Sequence, residues 1–344
     1  MPKQKAPAAD TGRPRVTITQ VAAHAGVSPT TVSHVLSGKR LVAEETQATV
    51  HEAIRTLGYR PNHVARSLRT RRSQMIAVVV PDITNTFYSV LTRGLADVVD
   101  ADGYGTYVCN TDGLPDRETK FFEDILDRGA DGIVLAAVDE ASVGALGPAN
   151  MGVPVVSIGE RLDHPEVDVV TVDDEVGAYA ATTHLLGRGA RRVAMISGPS
   201  QTGRNRVAGF RRALSQARRR ANPSLLVAGD WTRQGGRDAM RSLLALPARR
   251  RPDAVFCAND LTAIGAIDAL REAGLNVPDD VAVAGFDDVD AATIVHPALT
   301  TVVNPAYEIG ATAGRLLTRR LRGERDRDRT TVVLPCPLVV RGSA

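Results

Sequence analysis

The 344-residue chain has few cysteines and few aromatic residues: Cys109, Cys257 and Cys336, a single tryptophan, and 4% aromatics overall. Three scattered thiols with no metal-ligand spacing argue against a disulfide framework or a cysteine-built zinc module. They read as buried thiols in a reducing compartment. No apolar run approaches the roughly 18 residues of a membrane helix. The first 14 residues are polar and basic without an apolar stretch, so neither a signal peptide nor an anchor is expected. Nucleotide and hydrolase motifs are missing too. G-P-S-Q-T-G-R (198–204) lacks the spaced glycines and Lys-Ser/Thr of a phosphate loop, and there is no dinucleotide fingerprint or nucleophile elbow. The carboxylate clusters Asp173-Asp174-Glu175 and Asp287-Asp288-Val289-Asp290 have no histidine-rich ligand set beside them. No metal, no cofactor and no enzymatic role are therefore expected.

The hydrophobic fraction of 43% supports real cores, and the length calls for two or three folding units. Charge is unevenly divided. Residues 1–72 carry twelve Lys/Arg against four acidic side chains, a balance of +8, so the rest carries −5 of the whole-chain +3. A basic head on a mildly acidic body fits a chain in which one module meets phosphate and the remainder does not.

Within that head, T-I-T-Q-V-A-A-H-A-G-V-S-P-T-T-V-S-H-V-L (17–36) has the layout of two short helices joined by a glycine turn. Thr19 is positioned to cap the first helix, whose Val21, Ala22 and Ala25 share an apolar face. Gly26 stands where the chain must reverse, often at positive φ. Ser28 caps the second helix, and Pro29 takes its first position, where a missing N–H costs nothing. Val32, Val35 and Leu36 turn inward, leaving Pro29, Thr30, Thr31, Ser33 and His34 outward. Small polar residues on a short helix suit the major groove of DNA. A third helix follows, with Val50, Ala53, Ile54 and Leu57 at helical spacing, acidic residues in its first turn and Gly58 at its end. Then N-H-V-A-R-S-L-R-T (62–70) can form a turn or two of helix capped by Asn62, too short to be stable unless something packs on it.

From Met75 continuous apolar runs alternate with helix-like segments. M-I-A-V-V-V, T-Y-V-C-N-T, G-I-V-L-A-A and V-P-V-V-S-I-G form one series. V-V-T-V-D-D, R-V-A-M-I-S-G, L-L-V-A-G-D, A-V-F-C-A-N and V-A-V-A-G-F-D-D form a second, and T-V-V-L-P-C-P-L-V-V-R (331–341) reads as a last strand. Such alternation predicts two doubly wound parallel-sheet subdomains with a boundary near Asp173. Ligands of open parallel sheets bind beyond the carboxyl ends of strands. Asn85, Phe87, Tyr88, Arg206, Trp231, Asn259 and Asp287 fall at such ends, an aromatic, acidic and basic mixture suited to a small polyol. Arg204 is a further candidate in the same loop.

The motifs I-T-Q-V-A-A-H-A-G-V-S-P-T-T-V-S-H-V-L, V-A-E-E-T and G-Y-R-P-N-H-V-A-R-S-L resemble the lactose- and purine-repressor family of bacterial transcription regulators, and the resemblance extends over residues 16–343. It implies an all-α helix-turn-helix head on a two-lobed α/β body like a periplasmic sugar-binding protein. Pro29, Thr30 and His34 would face base edges, with Ser28, Thr31 and Ser33 supporting phosphate contacts and Arg40 making a groove or backbone contact. Thr19 and Asn62 join the DNA-facing candidates. Leu68 matches the apolar lever that paired hinge helices insert into the minor groove, with Ala65 giving close approach and Arg66 or Arg69 gripping backbone. Effector contacts are implied at Phe87, Tyr88, Arg206, Trp231, Asn259 and Asp287. One departure stands out: where the family often has an acidic residue before arginine, this chain has Gly159-Glu160-Arg161.

The expected organisation is a disordered basic tail (1–15), the DNA-binding domain (16–60), a hinge helix and linker (61–74), and an effector-binding and dimerisation domain (75–344). Its first lobe would take about 75–173 and 302–330, its second about 174–301 and 331–344. The expected function is a cytoplasmic, nucleoid-associated repressor without membrane attachment. It would bind a pseudo-palindromic double-stranded DNA operator as a homodimer under a small-molecule effector, a sugar or derivative before a purine. A dimer is favoured because no heptad helix follows Leu338. The rival reading, a solute-binding receptor of the same body fold, leaves residues 16–70 without a use.

Overall fold

Caps fix the helix boundaries of the first unit. A computed structural model describes residues 16–37, 40–60, 72–136, 152–159, 164–324 and 329–344, and the chain divides into two units, residues 1–73 and 74–344. Helix α1 (Ile18–Ala25) is capped by Thr17, not Thr19. The Thr17 hydroxyl accepts the Gln20 N–H at 3.3 Å while the Gln20 side chain accepts the Thr17 N–H at 2.8 Å. Thr-x-x-Gln satisfies two orphan donors at once, which a cap at Thr19 would not do. Thr19 is an exposed first-turn residue instead. Gly26 ends α1 at φ 67°. Helix α2 (Pro29–Ser37) and helix α3 (Glu44–Leu57) close a small core on Val21, Ala22, Val32, Val50 and Ala53, with Val35, Leu36, Ile54, Leu57 and Tyr59 packed around it.

The second unit is two six-stranded sheets. The first is built from β1 (Met75–Val80), β2 (Gly105–Asn110), β3 (Gly132–Ala136), β4 (Val155–Ile158) and β5 (Val167–Val172), with α4 (Thr86–Asp100) and α5 (Pro115–Asp127) between strands. The second follows through α6 (Asp174–Gly187), β6 (Val193–Ser197), α7 (Ser200–Gln216), β7 (Leu226–Ala228), α8 (Arg233–Leu244), β8 (Ala254–Cys257), α9 (Asp260–Glu272), β9 (Ala282–Asp287), α10 (Ala291–Ile294) and β10 (Thr300–Val303). Helix α11 (Ala306–Leu321), β11 (Thr331–Leu334) and β12 (Leu338–Val339) complete the chain. Strand order is β11-β5-β4-β3-β1-β2 in one sheet and β12-β10-β9-β8-β6-β7 in the other, parallel throughout except for β12 against β10. The interior strands are almost wholly buried, as parallel strands covered on both faces must be, while the edge strands β2, β7, β11 and β12 are partly exposed.

Three expectations shift. V-V-T-V belongs to the first sheet, where β5 pairs with β4 and β11, rather than opening the second series. The final run is two strands, not one: Pro335 and Pro337 interrupt the ladder because neither has an N–H to give, so β11 pairs with β5 and β12 with β10. The lobes therefore exchange chain at Asp173, at Asn304-Pro305 and at Pro335-Cys336-Pro337. Residues 302 and 303 stay with the second lobe and 331–334 go to the first, against the expected division.

In the first lobe α11 lies directly on α4. A Cβ at Gly310 would come 1.9 Å from the Leu91 carbonyl oxygen, and one at Gly94 would come 2.1 Å from that of Tyr307. Backbone meets backbone there, so no side chain can move aside. Gly310→Ala is expected to destabilise the protein by about 1–3 kcal/mol through overpacking. Urea unfolding of wild type and variant tests this, and an unchanged midpoint would show that the helices can separate at little cost.

Candidate functional site

Helix α2 meets solvent chiefly through its first turn. Pro29 and Thr30 are exposed, while Thr31, Ser33 and His34 are half-buried. Ser28 is occupied by capping: its hydroxyl accepts the Thr31 N–H at 3.1 Å and lies 2.9 Å from the Thr31 hydroxyl. Ser28 and Thr31 thus hold the entry of the helix as a pair. Arg40 is exposed, and Leu41 beside it is fully exposed, an apolar side chain on the head that sequence reading had not singled out. Asn62, Ala65, Arg66, Leu68 and Arg69 lie outside the described residues.

In the body, four carboxyl-end segments of the second sheet converge on Arg206. Arg206 sits inside helix α7 rather than in the loop before it, and only 3% of its surface is exposed. Its Nε donates to Asp174 Oδ1 at 2.8 Å, its Nη1 donates to the Ala258 carbonyl, and Asp287 Oδ1 faces Nη1 at 3.6 Å. The guanidinium lies 3.5 Å above the centre of the Phe286 ring and 5.5 Å from that of Trp231. Burying such a charge is costly unless it is paired and hydrogen-bonded, and here it is both. Trp231 takes φ 69° and lays its ring on Gly198, where a Cβ would come 2.3 Å from the ring. Asn259 holds that turn. Its Nδ2 donates to the Trp231 carbonyl at 3.0 Å while its Oδ1 accepts the Thr262 N–H at 2.9 Å to cap α9.

Carboxylates outnumber the one buried cation. Burial raises Asp174 above its ordinary range although Arg206 pulls the other way. Burial pushes Asp287 up to about 6, against Arg206 and against the Asn304 side chain that donates to it at 3.0 Å. Asp260 is raised well above the usual carboxylate range by burial and by the charge of Asp287. It accepts the Val289 N–H at 2.9 Å and the Thr301 hydroxyl, fixing the loop after β9.

Of the sequence-predicted body residues, Arg206, Trp231, Asn259 and Asp287 come together. In the first lobe Asn85 caps α4, accepting the Phe87 N–H at 3.1 Å, and Phe87 is buried with its ring edge-on to half-buried Tyr88 at 5.2 Å. Arg204 is exposed and donates to Gln201 at 2.8 Å, its neighbour on the same helix. Gly159 has φ 80°, where a carboxylate-bearing residue would be strained, and a Cβ there would lie 3.7 Å from Thr202 Oγ1 of the other lobe. Sequence reading missed Asp174, Phe286 and Asn304 as parts of the cluster. No spacing links 174 or 304 to 206, although Phe286 adjoins a residue already chosen. Among the described residues no group of three His, Cys, Asp or Glu side chains could hold a metal ion, and no helix is long and apolar enough to cross a membrane.

A helix-turn-helix head on a two-lobed parallel-sheet body, with a polar and aromatic cluster at the strand ends, defines a ligand-responsive DNA-binding regulator. The chain belongs to the lacI family of bacterial regulatory proteins. The profile described as "Bacterial regulatory proteins, lacI family" matches residues 17–62, and that described as "Periplasmic binding protein-like domain" matches residues 182–344. The chain is 37% identical over 334 residues to the HTH-type transcriptional regulator DegA of Bacillus subtilis (strain 168), covering 96% of this chain and 98% of that protein. It is 33% identical to the HTH-type transcriptional repressor PurR of Aliivibrio fischeri (strain MJ11), covering 95% and 98%. Among solved structures, the Lac repressor dimer bound to operator and the anti-inducer ONPF superposes with a TM-score of 0.85 at 27% identity, covering 96% of this chain and 99% of that one. The transcriptional regulator CelR–cellobiose complex superposes with a TM-score of 0.72 at 33% identity, covering 96% and 100%.

The raised pKa of Asp287 has a sign that can be checked. The folded state holds the proton more tightly than the unfolded chain, so this group's stabilising contribution is full below about pH 4 and is lost as pH rises through about 6. Asp287→Asn cannot titrate. Wild type should therefore lose stability relative to the variant between pH 4 and 7, by up to about 3 kcal/mol. Chemical unfolding of both proteins across that range measures the difference, and parallel curves would refute it.

Proposed function

We propose that this regulator is a repressor that binds a pseudo-palindromic operator as a dimer and is switched by a small neutral polyol held at the Arg206 cluster. The observation that carries the effector reading is the buried Arg206 set between Asp174 and Asp287 beneath Trp231, at the carboxyl ends of a parallel sheet. Two carboxylates against one guanidinium favour a ligand that brings hydrogen-bond donors, and vicinal hydroxyls do so without adding charge. A half-exposed indole supplies a flat apolar face for the C–H side of a sugar ring. The cellobiose bound by a relative 33% identical to this chain is a compound of that class.

On the DNA side, Thr30, His34 and Arg40 carry base readout in this reading, with Pro29 limited to apolar contact because it has no donor. Asn62, Ala65, Arg66, Leu68 and Arg69 form the hinge that meets the minor groove, and Ser28, Thr31 and Ser33 support the backbone contacts. Phe87, Tyr88 and Asn85 face the ligand from the first lobe. A protein acting on chromosomal DNA works in the cytoplasm. The solute-receptor alternative is disfavoured because such a receptor has no use for a capped, folded three-helix head.

Mobility shift on a selected operator, with neutral mono- and disaccharides and nucleobases added in turn, tests the whole reading. One neutral sugar is expected to change operator affinity by about 5- to 150-fold and to alter the fluorescence of Trp231, the only indole in the chain. Trp231→Phe should keep operator affinity and lose most of the ligand response. Absence of salt-dependent DNA binding would sink the regulator mechanism, and a response to a nucleobase alone would replace the polyol.

A further inference from the structure

The pole of the second lobe opposite the ligand cluster carries an unusual concentration of positive charge. Parallel strands send all their carboxyl ends to one edge, so the turns entering β7, β6 and β8 gather at the other, and these three strands are neighbours in the order β8-β6-β7. Each of those turns is arginine-rich. Arg218 to Arg220 follow α7 on the way to β7, Arg191 and Arg192 lead into β6, and Arg249 to Arg251 precede β8. All but Arg192 are exposed.

Direct contacts knit the three runs into one surface. Arg219 Nη1 donates to the Ala190 carbonyl, next to Arg191, and Arg192 Nε donates to the Arg251 carbonyl. The Asp253 carboxylate accepts the backbone N–H groups of Arg191 and Arg192 at 2.9 and 2.7 Å and faces the Arg192 guanidinium at 3.5 Å. Among the described residues that is the one ion pair these runs make. Elsewhere on the body many arginines pair with carboxylates, as Arg212 does with Glu175, Arg233 with Asp268 and Arg241 with Glu272. The concentration is therefore local, since the chain beyond residue 72 is net acidic.

We propose that this pole is a second, sequence-independent binding surface for the phosphate backbone of duplex DNA. A protein partner would need apolar or aromatic anchors at the centre of its footprint. Among the described residues none of the large hydrophobic side chains that stand exposed falls in these arginine runs. Backbone binding needs only clustered cations, because affinity comes from counterion release. The position of the surface decides which DNA it can meet. The linker from the head enters the body at β1, at the amino edge of the first sheet, whereas the arginine runs lie at the amino edge of the second. The chain passes between the lobes at the carboxyl ends of β5, β10 and β11, so the two amino edges lie at the far ends of the body. A duplex without operator sequence is the occupant, because backbone contacts carry no sequence information.

The test loads the full-length protein on an immobilised operator duplex and then adds a labelled duplex without operator sequence. At about 50 mM salt the loaded protein should retain the second duplex, and retention should fall steeply by about 200 mM. R218E/R219E/R220E should load on the operator as wild type does and retain at least tenfold less of the second duplex. R249E/R250E, on a separate segment, should reproduce that loss, and unchanged thermal unfolding of either variant shows that the fold survives. The proposal is overturned if wild type retains no second duplex at low salt, if both variants retain as much as wild type, or if polyglutamate occupies the surface and duplex DNA does not. Operator loading is read separately, so failure of the head to bind DNA is not confused with failure of the pole.

Discussion

A guanidinium buried in the second lobe organises the body. Arg206 is almost completely removed from water, and a charge in that position persists only if its partners are fixed around it. Those partners come from where the chain passes between lobes. Asp174 follows the first passage directly, and Asp287, which faces Arg206, is held by Asn304 at the second. At the third, the Cys336 thiol donates to the Asp173 carbonyl at 3.2 Å. All three interlobe strands are therefore within one or two hydrogen bonds of a single charge.

Under the proposed function, that arrangement would give a physical route from ligand to lobe orientation. A molecule placing donors on Asp287 or Asp174, as proposed, would compete with Arg206 for the same oxygens, and Asp287 is itself held by Asn304. The loop after β9 cannot absorb the change by itself, because Asp260 ties Val289 and Thr301 from beneath and Asp287 and Asp288 both stand at positive φ. Glycines carry the close approaches within the lobes: α11 on α4 through Gly310, and the indole of Trp231 on Gly198. Closely packed lobes joined by three polar segments near one charged site would suit the two-state switch of the proposed function.

Much of this was legible in the residues. Gly26, Ser28 and Pro29 are local punctuation whose effects do not depend on distant parts of the chain, and they sit as the sequence implied. That Arg206, Trp231, Asn259 and Asp287 gather was readable because each lies at or beyond the carboxyl end of a strand in the same parallel sheet. Two further features are encoded locally. Thr17 and Gln20 have capping-box spacing that outranks Thr19, and Pro335 and Pro337 divide the final apolar run into two strands.

The sequence by itself determined the modules: a capped three-helix head with a basic charge balance, alternating strands and helices for two parallel sheets, and the residue types at their ends. Those follow from periodicity, caps and charge, which act over a few residues. Only the tertiary structure decided which strand joined which sheet, that Arg206 is neutralised by Asp174 across 32 positions of chain, and that three arginine runs meet at one pole. Pairing of buried charges and gathering of turns are set by strand order. Strand order is the outcome of packing whole elements, and no local pattern encodes it.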